Sequence, residues 1–232
     1  MMRGPTPDDD AVYRQLHAAI VDQRLPAGSR LTETALAELL SASRRHVDKA
    51  LWRLVQEKLV RMRRNAGAWV AAPSLQEARE IYGLRLVVEE AAARQACTAW
   101  RPEGLRTLKA NLAAEEAAQR RGDLREAVRL SGEFHVLLAR VAGNTELARV
   151  VEQLVARTSL VTQLHANPDG LGCWHSQHHG LVEAIAQRQA DRAAALMRAH
   201  LLELEEALRV RPPASRHHEL ERALKRPLPP PA

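Results

Sequence analysis

The chain has 232 residues, a formal net charge of +6 and a pI of about 10.0, with 34 Lys and Arg against 28 Asp and Glu. Two cysteines, Cys97 and Cys173, exclude a disulfide framework or a CxxC metal knuckle and fit a reducing compartment. No apolar run reaches the 18 or so residues of a membrane span, and the opening MMRGPTPDDD lacks a signal-peptide core. A cytoplasmic protein of two domains, with a polyanionic partner, is expected.

In chain order, a first helix follows Asp8-Asp9-Asp10, acids that suit a helix N-terminus, with Val12, Leu16, Ile20 and Val21 at helical spacing. Leu25-Pro26-Ala27-Gly28 is a turn. Thr32 is placed to cap a helix over 33–40 with Leu36, Leu39 and Leu40 inward. Ser41-Ala42-Ser43 connects it to a helix over 44–57 that buries Val47, Leu51 and Leu54. Two β-like runs follow, LVRMR and AWVAA, joined by Asn65-Ala66-Gly67. Helix, tight turn, helix and β-wing in this order form a module that sets a helix in the DNA major groove.

From Pro73-Ser74 onward the pattern is helical. Six helices are expected over 75–99, 103–120, 123–142, 145–166, 173–188 and 190–210, divided by Pro, Gly and Asn breaks. Helices of this length with short loops pack as an antiparallel bundle. The expected fold is mainly α: a winged helix-turn-helix over 1–73 and an all-helical domain over 74–211. A Pro-rich tail over 212–232 is expected to be disordered, with a helical turn near Glu219–Leu224.

The first turn of a recognition helix meets base edges. Arg44 and Arg45 stand there, and a bidentate arginine–guanine contact is worth about 1–3 kcal/mol of discrimination. Ser43 can cap the helix or donate to phosphate. Arg61, Arg63 and Arg64 charge the wing, Asn65 and Gly67 lie at its tip, and Arg30 precedes the second helix. A single arginine is most simply a solvated surface charge; the cluster in this context points to DNA.

These residues resemble the GntR superfamily of bacterial transcription factors. Leu25-Pro26-Ala27-Gly28-Ser29-Arg30-Leu31, Leu36-Ala37-Glu38-Leu39-Leu40, Ser43-Arg44, Val47, Ala50-Leu51, Leu54, Leu59-Val60 and Gly67 carry the resemblance over about the first 70 residues. Asp48 departs from it, standing where the family has a DNA-contacting arginine. An acid there is repelled by phosphate but can accept from cytosine N4. Neighbouring Lys49 is the candidate to take over a backbone contact.

In the helical half, His135, His178 and His200 fall on three separate expected helices. Imidazoles converging in a bundle core are good ligands for a divalent ion, although one helical histidine alone is more often a core or surface residue. Phe134-His135, Ala142-Gly143-Asn144, His178 with Ala184-Ile185, and His200-Leu201 resemble the FadR-type C-terminal domain, the FCD effector domain. Tyr82-Gly83-Leu84-Arg85 with Glu89 resembles its opening helix.

That resemblance implies a metal held by three histidines and an aspartate beneath a pocket for a small carboxylate. The histidines map to His135, His178 and His200; the aspartate position is Ser131, one helical turn before His135. The metal is then either lost, leaving a polar histidine-lined pocket, or held by three histidines in a more open sphere that favours an anionic effector. Zinc is the first choice of ion, nickel or manganese the others. Arg85 and Ser131 are the candidate effector-binding residues, Arg85 alternatively forming a surface ion pair with Glu89.

The leading expectation is a homodimeric, ligand-responsive regulator, a repressor, that binds a palindromic operator and is not an enzyme. Two alternatives stand beside it. A metal-dependent hydrolase lacks an HExxH-type base, and an architectural DNA-binding protein would have no effector.

Overall fold

The computed structural model describes residues 8–64, 67–166 and 175–208. Asn65, the Asn167–Gly170 turn, Cys173 and the Pro-rich tail lie outside them. The elements are α1 (Asp9–Val21), β1 (Arg30–Leu31), α2 (Glu33–Leu39), α3 (Arg44–Gln56), β2 (Val60–Arg63), β3 (Gly67–Val70), α4 (Leu75–Ala99), α5 (Pro102–Arg120), α6 (Leu124–Val141), α7 (Thr145–His165), α8 (His175–Ala186) and α9 (Ala190–Glu206).

Side-chain caps open most of the long helices. Asp8 accepts from the Ala11 amide at 2.7 Å and Ser43 from the His46 amide at 3.2 Å. Ser74 and Glu77 form a reciprocal capping box, and Asp123 and Asn144 cap α6 and α7. Each cap satisfies an amide that the helix cannot, worth about 1 kcal/mol. Thr32 departs from expectation, because its side chain makes no cap bond at the start of α2.

The strands form one antiparallel sheet in the order β1-β3-β2, with Arg30 opposite Trp69 and Arg61 opposite Trp69 on the other side. Two residues carry no alternation to read, so β1 has no sequence signal. Val12, Leu16 and Ile20 of α1 meet Val47, Leu51 and Leu54 of α3 in the core beneath the sheet. Leu39, expected inward, is 80 % exposed, while Leu36 is buried and Leu40 half-buried.

In the helical half, α4 packs against α6, α7, α8 and α9, and α5 against α6 and α8. Phe134 and Leu138 of α6 meet Ile81, Leu108, Met197 and Leu201 in its core. Helix α9 ends at Glu206, short of the expected 210, and Leu208 bridges to Ala166. The two halves join through α7: its Ala156 and Leu160 complete the winged-helix core. Among the described residues no helix is long and apolar enough to cross a membrane.

Candidate functional site

The start of α3 is the exposed basic surface of the winged helix. Arg44 and Arg45 are exposed and have no ion-pair partner among the described residues. The Ser43 oxygen that caps the helix leaves its hydroxyl proton free to donate. Asp48 is half-buried one turn further on. The Lys49 Nζ is 2.5 Å from the Asp9 carboxylate of α1, and its side chain stays exposed. Arg53 pairs with Asp10, and its guanidinium lies 3.8 Å over the Tyr13 ring. The acids that open α1 therefore clamp α3 from behind, and Lys49 serves that clamp.

The sheet presents a second basic surface. The guanidinium of Arg63 lies 4.6 Å over the Trp69 ring, and that of Arg30 lies 6.0 Å from the same ring. Arg64 is exposed, and Gly67 takes the left-handed backbone at φ +82° that the wing's return requires. Arg61, the wing arginine nearest the bundle, pairs with Glu77 of α4.

In the bundle, α6, α8 and α9 bring His135, His178 and His200 together, each at most 2 % exposed. The Nε2 atom of His200 is 3.2 Å from that of His178 and 3.2 Å from that of His135. Every Nδ1 faces an oxygen: Glu89 Oε2 at 2.5 Å from His135, Glu115 Oε2 at 3.1 Å from His178, and Gln177 Oε1 at 2.6 Å from His200. Gln177 donates its amide nitrogen to Glu203, which fixes its oxygen towards His200. Phe134 stacks on the His178 ring at 4.1 Å.

These outer acceptors set the tautomer. Each Nδ1 carries the proton, so three Nε2 lone pairs converge on one point, an arrangement that a cation relieves. Burial pushes the His135 ring down to about 4 and holds His200 well below its ordinary value, the neighbouring histidines adding to the effect for His200. Neutral imidazoles are what a metal needs. Nitrogens on a tetrahedral zinc stand about 3.3 Å apart, given Zn–N distances of about 2.0–2.1 Å. The three histidines therefore fit a divalent ion of this kind, which would act as a Lewis acid towards an anionic oxygen.

Ser131 is buried on α6 one turn before His135, but it brings no carboxylate. Both lie on the wall of a cavity of about 280 Å³, together with Arg85, Tyr82 and Thr158. Arg85 is 2 % exposed, and its Nε donates to Glu89 Oε1 at 2.5 Å. The pair is thus buried rather than on the surface. Arg85 Nη2 is buried without a hydrogen-bond partner.

The sequence alone did not single out Glu115 or Gln177, and it marked Glu89 as part of the opening-helix resemblance and as a partner of Arg85 but not of His135. The i, i+4 spacing of Arg85 and Glu89 was visible, but nothing in it told burial from exposure. Glu133, two residues before His135, pairs with Arg129 at 2.8 Å.

A winged helix with arginines at an exposed helix start, joined to a helical domain with a buried histidine cluster beside a cavity, defines a DNA-binding transcription regulator. The sequence matches the profile of the bacterial regulatory proteins of the gntR family over residues 9–70 and that of the FCD domain over 80–203. The chain belongs to the GntR family, in its FCD-bearing subgroup.

The HTH-type transcriptional repressor RspR of Escherichia coli K12 is similar, 27 % identical over 206 residues that cover 88 % of this chain and 90 % of that one. So is the Nta operon transcriptional regulator of Aminobacter aminovorans, 27 % identical over 75 % of this chain and 81 % of that one. In fold, a GntR regulator from Rhodococcus sp. RHA1 superposes with a TM-score of 0.76 at 23 % identity, covering 85 % of this chain and 95 % of that one. Family and relatives are regulators of transcription, and the chain is not an enzyme. The hydrolase alternative falls with that finding.

Proposed function

We propose that this regulator binds a palindromic operator as a homodimer and that a small carboxylate held in the bundle modulates the binding. The cavity carries this reading: its wall holds a buried guanidinium with an orphaned nitrogen, next to a face of the histidine cluster. Residues 1–73 form the DNA-binding part and 74–211 the effector and dimerisation part. His135, His178 and His200 hold a divalent ion, zinc before nickel or manganese, with Ser131 leaving one side of it open. Arg85 and Ser131 bind the effector carboxylate. Repression is the sense carried by the name of the Escherichia coli relative.

Arg44 and Arg45 read bases in the major groove, and Ser43 donates to phosphate. Arg30, Arg63, Arg64, Asn65 and Gly67 meet the backbone or minor groove beside the wing. Asp48 accepts from a cytosine where an arginine would donate to guanine. Lys49 lies beside this surface, its charge shared with Asp9.

Arg44→Ala is expected to reduce affinity for a site selected from a random duplex pool by about 5- to 150-fold, the equivalent of 1–3 kcal/mol. Affinity for random DNA at the same salt should change far less. An unchanged ratio of selected to random affinity would overturn the assignment.

The dimer rests on α4, which leaves Leu84 and Val87 exposed at 46 % and 69 %, three residues apart on one face. Val87→Glu should turn a dimer into a monomer in light scattering at micromolar concentration. A wild-type monomer, or a dimeric variant, would exclude this face.

A further inference from the structure

The cavity is walled by both halves of the chain. Arg85, Ser131 and His135 line it from the bundle, and His17 and Gln23 line it from the end of α1. Arg125, at the start of α6, also lines it and donates to the backbone carbonyl of Gln23. The cavity's other arginines each have a carboxylate: Arg85 has Glu89, Arg129 has Glu126 and Glu133, and Arg140 has Glu152. Arg125 has none among the described residues, so its charge is spent on a neutral carbonyl.

Gln23 itself is held from two sides. Its side chain donates to the Ser159 carbonyl of α7 at 3.3 Å, and its backbone is left-handed at φ 57°. A residue with a Cβ keeps that conformation only where its surroundings impose it. The turn that contains Gln23 leaves α1, and α1 braces α3 through the pairs Asp9–Lys49 and Tyr13–Glu57. The Arg125–Gln23 bond therefore ties the cavity mouth to the support of the recognition helix.

Along α6, Arg125 lies ten residues before His135, about 15 Å of helix axis, and six before Ser131, about 9 Å. Two guanidinium groups thus line one cavity, the buried one at Arg85, beside Glu89 and His135, and the exposed one at Arg125, some turns of α6 away from His135. We propose that the effector is an elongated dianion of the dicarboxylate class, whose second carboxylate takes Arg125 from the Gln23 carbonyl. This rests on the carboxylate reading of the cavity given above and adds the second head and its consequence. A carboxylate adds opposite charge and can take two parallel N–H···O bonds from the guanidinium, where the carbonyl takes one, so the exchange favours the carboxylate. The ligand acts on DNA binding only through this difference between the two arrangements.

The test uses the full chain, titrated by calorimetry with linear α,ω-dicarboxylates of graded length and with monocarboxylates of matching length. Wild type should favour a dicarboxylate of one length over its monocarboxylate by at least about fivefold. Arg125→Gln should abolish that preference and leave monocarboxylate affinity within twofold, and Arg125→Lys should keep part of it. The favoured dicarboxylate should release selected DNA from wild type and not from Arg125→Gln.

Equal binding of the two classes by wild type, or a preference that survives in Arg125→Gln, would overturn the second head while leaving the carboxylate site standing. If neither class binds wild type, the carboxylate reading and the second head both fall.

Discussion

Glu89→Gln is expected to cost about 3–5 kcal/mol of folding stability, because it breaks a buried ion pair from one side. The carboxylate is 1 % exposed and serves Arg85 with one oxygen and His135 with the other, both at 2.5 Å. Without its charge, a guanidinium that already has one orphaned nitrogen stays buried and uncompensated. Arg85→Met combined with Glu89→Gln should recover much of the loss, since it removes the stranded charge and keeps an acceptor for His135. Denaturant melts of the three proteins check this. A single variant within 1 kcal/mol of wild type on this scale would contradict it.

The same pair gives the protein an acid limit. Burial pushes the Glu89 carboxyl up, but the Arg85 guanidinium and the His135 ring outweigh it and hold it down at about 2, against an ordinary 4.5. As pH falls, the unfolded carboxyl takes its proton first. The stability from Glu89 is therefore full above pH 4.5 and lost towards pH 2. His135 works in the same direction at higher pH. Its folded value is about 4 against an ordinary 6.5, so the unfolded ring charges first and stability declines as pH falls from 6.5. Metal-free wild type should weaken steadily below pH 6.5, and a flat melting profile between pH 7.5 and 5 would exclude this account.

The winged helix was legible because each of its parts has a local chemical cause. Pro26 and Gly28 mark a turn, Ser43 caps α3, and the apolar residues of α3 recur at helical spacing. The long bundle helices were legible for the same reason, and their observed ends differ from expectation by a few residues, mostly one or two. What escaped was set by distant partners. Strand β1 exists only because Trp69 and Ala68 are there to pair with it. Lys49 is claimed by Asp9, forty residues away.

The support of the histidine cluster is the clearest case. Glu115 is 1 % exposed, while the adjacent Glu116 side chain is 45 % exposed and pairs with Arg120. In the run NLAAEEAAQR, small alanines on every side leave no apolar stripe to say which acid faces inward. The histidines themselves were candidate ligands by residue type and helix placement, and resemblance to a family made them one set. Spacing placed them on three helices, but convergence of those helices is a tertiary fact.

The proposed metal site stands or falls on His200 and Ser131. Purified wild type loaded with zinc should carry close to one ion per chain, and His200→Ala should carry almost none. Two imidazoles from separate helices hold an ion poorly, and the Nε2 of His200 stands 3.2 Å from that of each of the other two. Ser131→Asp should tighten binding by about tenfold or more, because a carboxylate adds a ligand and a compensating charge. The charge balance makes the second half of the prediction. Glu89 is already neutralised by Arg85, and three neutral imidazoles bring no charge, so a divalent ion would keep positive charge towards the cavity, one unit of which a carboxylate ligand would offset. Aspartate at 131 offsets that unit and closes the open side, so a carboxylate effector should bind Ser131→Asp more weakly than wild type. Elemental analysis measures the first effect and calorimetry the second. Absence of metal from both proteins after loading with zinc, nickel and manganese would reduce the three histidines to lining of the cavity. Tighter carboxylate binding by Ser131→Asp would refute the charge argument even with the metal in place.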